Sequence, residues 1–234
     1  MKKGFTLAEV LITLGILGVV IAMTFPSLVA NYKKHVAVNK LKKFYTVMSQ
    51  ATTMAIVENG PMDTWDGFSS HHNGAEMERW FEQYLEPNLK ILEKKVDKDE
   101  ETGSESLFVY FADGSLMSLS NWAASSADID DETGKDNNHV IDNYNGLIHV
   151  NYYTDTKAFK KENRKNCINK FTFLFYNPLK KQYLFFPYAY QSTTPEKYNR
   201  EFFLNQIKTS NDQYCAVLIM YDGWKISDDY PVKF

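Results

Sequence analysis

The sequence predicts an α+β protein in which one long amino-terminal helix packs against an antiparallel β-sheet head. Two observations lead to that prediction. An apolar run over residues 5–25 is followed by an amphipathic helical pattern over residues 28–57, which contains no glycine or internal proline. Several short strand-like runs separated by turn signals then fill the second half of the chain. One long helix followed by a series of strands is typical of an α+β domain.

Composition limits the size and the partners of the protein. The chain has 234 residues, of which 44% are apolar and 15% aromatic, so it can bury the core of one soluble domain and still carry an attached element. The net charge of -3 is small, and no basic footprint indicates nucleic acid as a partner. No internal repeat is evident.

The apolar run over residues 5–25 predicts a membrane-spanning helix. Every residue in it is apolar, small or a threonine, except Glu9. As a helix this run is about 31 Å long, and the hydrocarbon core of a bilayer is about 30 Å thick. Lys2 and Lys3 precede it and form a positive flank that we expect on the cytoplasmic side.

Glu9 is the unusual residue of this run, because a carboxylate in an apolar span is costly unless it lies near the interface or finds a partner. It lies one helical turn from Phe5. A cut between Gly4 and Phe5 would create a new α-amine, which is a natural partner for this carboxylate, within the chain or on a neighbour.

Residues 3–9 read Lys-Gly-Phe-Thr-Leu-Ala-Glu. This run resembles the cleavage and methylation signal of type IV prepilins and type II secretion pseudopilins. The resemblance implies that a prepilin peptidase cuts after Gly4 and methylates the new amine of Phe5. It also implies that Glu9 pairs with the amine of an adjacent subunit during assembly. The resemblance covers roughly the first sixty residues, and beyond them it is only architectural.

Three residues further along extend the resemblance. Gly15 and Gly18 interrupt the apolar run, and Pro26 ends it, as in many members of that family. The resemblance implies that the helix unwinds between such a glycine and such a proline in assembled filaments. Pro26 removes one backbone donor and clashes with the preceding turn, so a weak point is also expected on physical grounds.

An ordinary secretory signal peptide, cut near Ala22 or Ala30, is the alternative interpretation of this terminus. It would share the basic start and the apolar middle. It would have no reason to carry Glu9, and it would not continue into a long amphipathic helix.

The orientation of the chain in the membrane follows less directly from the sequence. Five lysines follow the span, and a simple positive-inside count over them favours the opposite orientation. They are Lys33, Lys34, Lys40, Lys42 and Lys43. We place the head outside the cytoplasm nevertheless, because a disulfide needs an oxidising compartment and the implied peptidase acts on the cytoplasmic side. The lysines are then interpreted as the solvated face of a helix, although lipid headgroups or acidic neighbours could also meet them.

The amphipathic segment predicts one buried stripe, which we assign to the core of the head. Its members are Leu41, Phe44, Tyr45, Met48, Ala51 and Ala55. The Asn59-Gly60-Pro61 sequence should stop a combined helix of about 80 Å. Beyond it, a helix is predicted over 76–86. Strands are predicted over 106–111, 115–120, 147–153, 170–176 and 182–187, with a hairpin turn at Asp113-Gly114 between the first two. Residues 215–221 fit either helix or strand.

Cys167 and Cys215 are the two cysteines of the chain. In a head outside the cytoplasm they favour a disulfide over a metal pair, and their spacing looks like the disulfide-bounded region of some pilins. Closing that loop would stabilise the head by about 4 kcal/mol in the chain-entropy treatment. Two buried unpaired thiols are the alternative.

Other polar groups give weaker signals. The acidic residues of 128–136 could bind calcium, as the heads of major pseudopilins do, but their spacing matches no EF-hand and a solvated loop is the preferred interpretation. The five histidines lack the helical spacing of a zinc pair. We find no catalytic set, and we expect neither a cofactor nor a metal.

Together these features predict a non-enzymatic subunit of a type IV pilus-like filament or a type II secretion pseudopilus. Residues 1–4 are the leader peptide, 5–26 the transmembrane and assembly helix, and 27–234 the amphipathic helix with an extracytoplasmic head. The expected location is the bacterial inner membrane, single pass, and then a periplasmic pseudopilus or a cell-surface pilus. Expected partners are the prepilin peptidase, copies of the chain or other pilin-like subunits, an inner-membrane assembly platform and, before assembly, membrane lipid. A membrane-anchored binding module that never polymerises, or an anchored enzyme, are the alternatives.

Overall fold

The computed structural model of the chain describes residues 4, 6–70, 72–98, 103–121, 148–180, 182–190, 194, 196–209 and 211–234. All structural statements below concern these residues. The acidic residues 128–136, Phe5, His71 and His139 lie outside them.

One helix dominates the fold. Helix α1 (Leu7–Asn59) has 53 residues and is continuous through Pro26, which gives a length of about 80 Å. It ends at Gly60, whose φ of 84° is readily available only to glycine, and the Gly60 N–H donates to the carbonyl of Ile56. The predicted Asn-Gly-Pro stop is therefore where the helix ends.

An antiparallel sheet forms the centre of the head. Among the described residues it has six strands, each paired antiparallel to the next along the chain. They are β1 (Glu93–Lys98), β2 (Glu105–Tyr110), β3 (Leu116–Asn121), β4 (Ile148–Tyr153), β5 (Lys170–Leu174) and β6 (Phe186–Pro187). The predicted Asp113-Gly114 turn joins β2 to β3. The architecture is thus the predicted α+β fold, a long amino-terminal helix with an antiparallel sheet.

The second half of α1 packs on one face of this sheet. Phe44 is buried and stacks on Tyr152 of β4, with ring centroids 4.1 Å apart. Its ring also meets Phe173 and Phe185 edge-on, at 5.4 and 5.8 Å. The buried positions of the helix follow the spacing of three and four that the sequence predicts. They are Ala37, Val38, Leu41, Phe44, Met48, Ala51, Thr52 and Ala55.

Two lysines of α1 reach the head beside this stripe. Lys40 Nζ donates to the carbonyl oxygen of Thr154 at 2.6 Å, and Lys43 Nζ lies 2.9 Å from Asp113 Oδ2 in the turn between β2 and β3. The solvated-face interpretation of the five lysines is therefore incomplete, because these two side chains attach the helix to the head.

Helix α2 (Gly74–Tyr84) covers the sheet beside β1 and β2. Asn73 caps it by accepting from the Glu76 N–H at 3.1 Å. A Cβ on Gly74 would lie 2.3 Å from Val96 Cγ1, so the close approach of β1 requires glycine at this position.

Two short helices complete the head near its carboxyl end. They are α3 (Arg200–Lys208) and α4 (Cys215–Tyr221), and α4 packs against β5. Arg200 forms paired hydrogen bonds with Asp222, at 2.7 and 3.0 Å, and with Asp229, at 2.7 and 2.6 Å. These bonds hold the last residues of the chain against α3, since a guanidinium matches two carboxylates bidentately.

Candidate functional site

The amino-terminal end of α1 is a hydrogen-bonded cap built from Thr6 and Glu9. The Thr6 N–H and hydroxyl donate to Glu9 Oε2 at 2.8 and 2.9 Å, and the Glu9 N–H donates to Thr6 Oγ1 at 3.2 Å. This is a capping box, which satisfies two otherwise unpaired donors at a helix start. The Thr-x-x-Glu spacing is its sequence signal, and the sequence interpretation, which considered only the charge of Glu9, missed it.

The capping box leaves part of the Glu9 carboxylate unused. Glu9 Oε1 accepts no hydrogen bond from any residue that the structure describes. The side chain is exposed, as is Gly4. The second oxygen can therefore accept from a donor outside the described part of the chain.

Residues 7–28 of α1, which we call the assembly half, are exposed at every position. Their large apolar side chains include Leu7 at 79% and Leu17 at 55% exposure, and the head covers none of them. By length and composition this part of α1 is a candidate membrane span. Apolar surface on all sides of a helix requires lipid or other protein around it.

Gly15, Gly18 and Pro26 all lie within the assembly half. A Cβ on either glycine would meet nothing within 4 Å, so neither glycine is required by packing in the isolated chain. The helix is continuous through Pro26, although proline cannot donate to the carbonyl of Ala22. That these residues form a weak point in an assembled state stays a prediction.

Cys167 and Cys215 form a disulfide, with Cα atoms 5.3 Å apart. Cys167 lies in the turn before β5 with a φ of 67°, and Cys215 is the first residue of α4. Both are buried, and the Tyr230 hydroxyl donates to the Cys167 carbonyl at 3.0 Å. The disulfide thus joins the turn before β5 to α4, and the Tyr230 hydrogen bond holds the last residues of the chain against that turn.

Metal ligands are not gathered anywhere in the described ranges, which contain no group of three or more His, Cys, Asp or Glu able to hold an ion. Among the histidines of the described ranges, His149 of β4 has a clearly shifted pKa. Burial lowers the pKa of His149, and the charges of His72 and Lys170 lower it further, to about 4. The acidic residues 128–136, the calcium candidates, lie outside the described residues.

The comparisons with known proteins divide the chain at the point where the sequence does. Residues 1–25 match the prokaryotic N-terminal methylation motif. The chain therefore carries a prepilin-type signal and is a pilin-like precursor, consistent with anchoring in the inner membrane. Residues 27–234 match the family described as Family of unknown function (DUF6613), and the chain belongs to that family. No curated protein and no solved structure matches it.

Proposed function

We propose that the chain is a structural subunit of a type IV pilus-like filament or a type II secretion pseudopilus. It inserts through residues 5–26 with the head, residues 27–234, outside the cytoplasm. A prepilin peptidase removes residues 1–4, and an assembly platform in the inner membrane extracts the subunit into a helical stack. In this proposal the chain is not an enzyme and contributes no chemical step.

The observation that supports the proposal is the continuous helix with one half buried in the head and the other half exposed on all sides. Lipid can cover the assembly half before assembly, and the same halves of neighbouring subunits can cover it afterwards. Residues 1–25 match the methylation motif, and the cut that we propose after Gly4 would lie directly before this exposed half.

Glu9 is the residue that we propose makes the transfer from lipid to filament specific. Its Oε2 is held by Thr6, the second residue after the proposed cut, and its Oε1 accepts no hydrogen bond from the described residues. The methylated amine of Phe5 on an adjacent subunit would satisfy that oxygen and neutralise the charge. Such a pair is favourable in apolar surroundings only when both partners are present.

The first experiment measures the mass of the mature amino-terminal peptide and the yield of filaments in the bacterium that carries the gene. We expect a peptide that begins at Phe5 and carries one methyl group. The variant Glu9→Gln keeps the capping box, because glutamine also accepts from the cap N–H, but removes the charge. It should be processed normally and should fail to enter filaments.

The matched control is Thr6→Ala, which removes the capping side chain and keeps the carboxylate. It should retain most of the filament yield. A wild-type yield from Glu9→Gln would favour a membrane-anchored binding module that does not polymerise. A mature chain that begins anywhere other than Phe5 would overturn the proposal.

A further inference from the structure

The base of the head, where α1 emerges toward the assembly half, forms a groove of about 650 Å³. Helix α1 supplies one wall of the groove through Tyr32, Lys33 and Lys40. The segment between β4 and β5 supplies the opposite wall, which includes Asn163 and Lys165. The groove therefore opens at the part of the head closest to the apolar span.

Positive charge is concentrated in the two segments that form the walls of this groove. The segment 160–165 reads Lys-Lys-Glu-Asn-Arg-Lys, with four basic residues and one acid in six positions. Lys33 and Lys34 add two charges from α1. Glu162 and Asp155 are the acids that line the groove. We use the name basic collar for Lys33 and Lys165, which line the groove, together with Lys34 and Lys160 from the same two segments.

The contacts of the described residues distinguish the basic collar from two other lysines of α1. Within the described part of the chain, none of the four lysines contacts a carboxylate. Lys40 and Lys43, by contrast, are engaged with Thr154 and Asp113. Lys40 and Lys43 thus attach α1 to the head, whereas the basic collar is available for an external anion.

The distance to the membrane selects the kind of anion. If the span ends at Pro26, Lys33 lies about 10 Å further along the helix axis. The headgroup layer on each side of the hydrocarbon is about 5–8 Å thick, and a lysine side chain can extend back toward it. Tyr32 is at the height where interfacial aromatic residues are enriched.

We propose that the basic collar binds the headgroups of anionic phospholipids while α1 spans the bilayer. The inference rests on the proposed membrane insertion of residues 5–26. The interaction holds the head against the outer face of the membrane before assembly. It breaks when the subunit is extracted from the membrane into the filament. It also gives the lysines that follow the span a role that does not require a reversed orientation.

The test uses the full chain in nanodiscs that contain equal amounts of phosphatidylcholine and phosphatidylglycerol. Native mass spectrometry after release measures which lipid stays bound. We expect the wild type to retain phosphatidylglycerol about tenfold over phosphatidylcholine at low salt, because each lysine near an anionic surface adds to the attraction. The preference should decrease as salt is raised.

The variant removes the charges of the basic collar through Lys33→Gln, Lys34→Gln, Lys160→Gln and Lys165→Gln, and should bring the preference close to one. A control variant changes the net charge equally at four exposed lysines in other segments of the chain and should match the wild type. Its substitutions are Lys98→Gln, Lys180→Gln, Lys208→Gln and Lys225→Gln. Incorporation into nanodiscs of phosphatidylcholine alone is measured first, because failure there contradicts the proposed function and not the lipid inference.

Three results would overturn the inference. The first is an equal lipid preference in the wild type and the collar variant. The second is loss of the preference on adding inorganic phosphate but not chloride of the same ionic strength, which would show a site for free phosphate. The third is an unchanged lipid preference in a collar variant that no longer enters filaments, which would assign the lysines to an acidic surface of a neighbouring subunit.

Discussion

The two halves of α1 share one continuous helix and have opposite surroundings. In the assembly half Leu17 is 55% exposed, whereas Phe44 in the half that packs on the head is 5% exposed. Only the second half has an apolar stripe, because only there does one helical face meet a sheet while the other meets water. The first half is apolar on every side, so no single face is assigned to one partner.

This difference separates folding from assembly along one element. Contacts of the second half and the head determine whether the chain folds. The first half is exposed at every position, so substitutions there should affect assembly and leave the folding of the head unchanged. The following predictions test this separation, from the largest expected effect to the smallest.

Phe44→Ala should cause the largest loss of head stability, about 5 kcal/mol, at the top of the range for a buried phenylalanine. Its ring contacts Tyr152, Phe173 and Phe185, and all three would line the cavity. The measurement is chemical unfolding of the full chain in non-ionic detergent, followed by near-ultraviolet circular dichroism.

Leu17→Ala is the matched control in the same helix. It removes an exposed apolar side chain, so the free energy of unfolding should change by no more than about 0.5 kcal/mol. A loss as large as that of Phe44→Ala would mean that the assembly half packs on its own head, and the separation between the halves would be wrong.

Removal of the disulfide should have the next largest effect. Cys167 and Cys215 are 48 residues apart, and the chain-entropy treatment gives about 4 kcal/mol for a loop of that length. Cys167→Ser should lower the free energy of unfolding by this amount under oxidising conditions. Filament incorporation per folded subunit should stay unchanged, since the bond lies wholly within the head.

A reducing agent provides the control for this prediction. It should lower the stability of the wild type to that of Cys167→Ser and leave the variant itself unchanged. Equal stability of the two proteins before reduction would contradict a structural role of the bond.

The sequence was most informative where an element is buried and is bounded by a clear stop or turn signal. The stripe through Leu41, Phe44 and Met48 and the Asp113-Gly114 turn have strong local signals, so the second half of α1 and the β2–β3 hairpin were predicted within a residue or two. For residues 215–221, which are apolar at almost every position, the pattern could not distinguish helix from strand. They form the helix α4, which is buried against β5.

Elements that the sequence did not predict lack such a buried pattern or turn signal. Strand β1 reads Glu-Lys-Lys-Val-Asp-Lys and is almost wholly exposed, so only its pairing with β2 makes it a strand. Helix α3 is short, and its start depends on Asn199, whose Oδ1 accepts from the Phe202 N–H at 2.8 Å. Of the predicted strand over 182–187, only Phe186 and Pro187 pair with β5, while Gln182 forms an isolated bridge with Asn177.

The smallest predicted effect concerns Asp113, which joins the turn between β2 and β3 to Lys43. Partial burial raises the pKa of Asp113, but hydrogen bonds from Ser115 and Lys43 outweigh that effect and lower the pKa from 3.8 to about 2. A depressed folded-state pKa gives stability that is complete above about pH 4 and is lost as the pH falls toward 2. Because Lys43 is largely exposed, solvent screening reduces the contribution to about 1 kcal/mol.

Asp113→Asn should therefore lower the free energy of unfolding by about 1 kcal/mol at pH 7, and the difference from the wild type should vanish near pH 2. Lys42→Gln is the control, since Lys42 is exposed and lies next to Lys43 in the sequence, and it should leave the pH profile unchanged. A difference that persists at pH 2 would show that the asparagine disturbs the turn itself. The carboxylate would then not be what attaches this part of α1 to the head, and the separation between the two halves would depend on apolar packing alone.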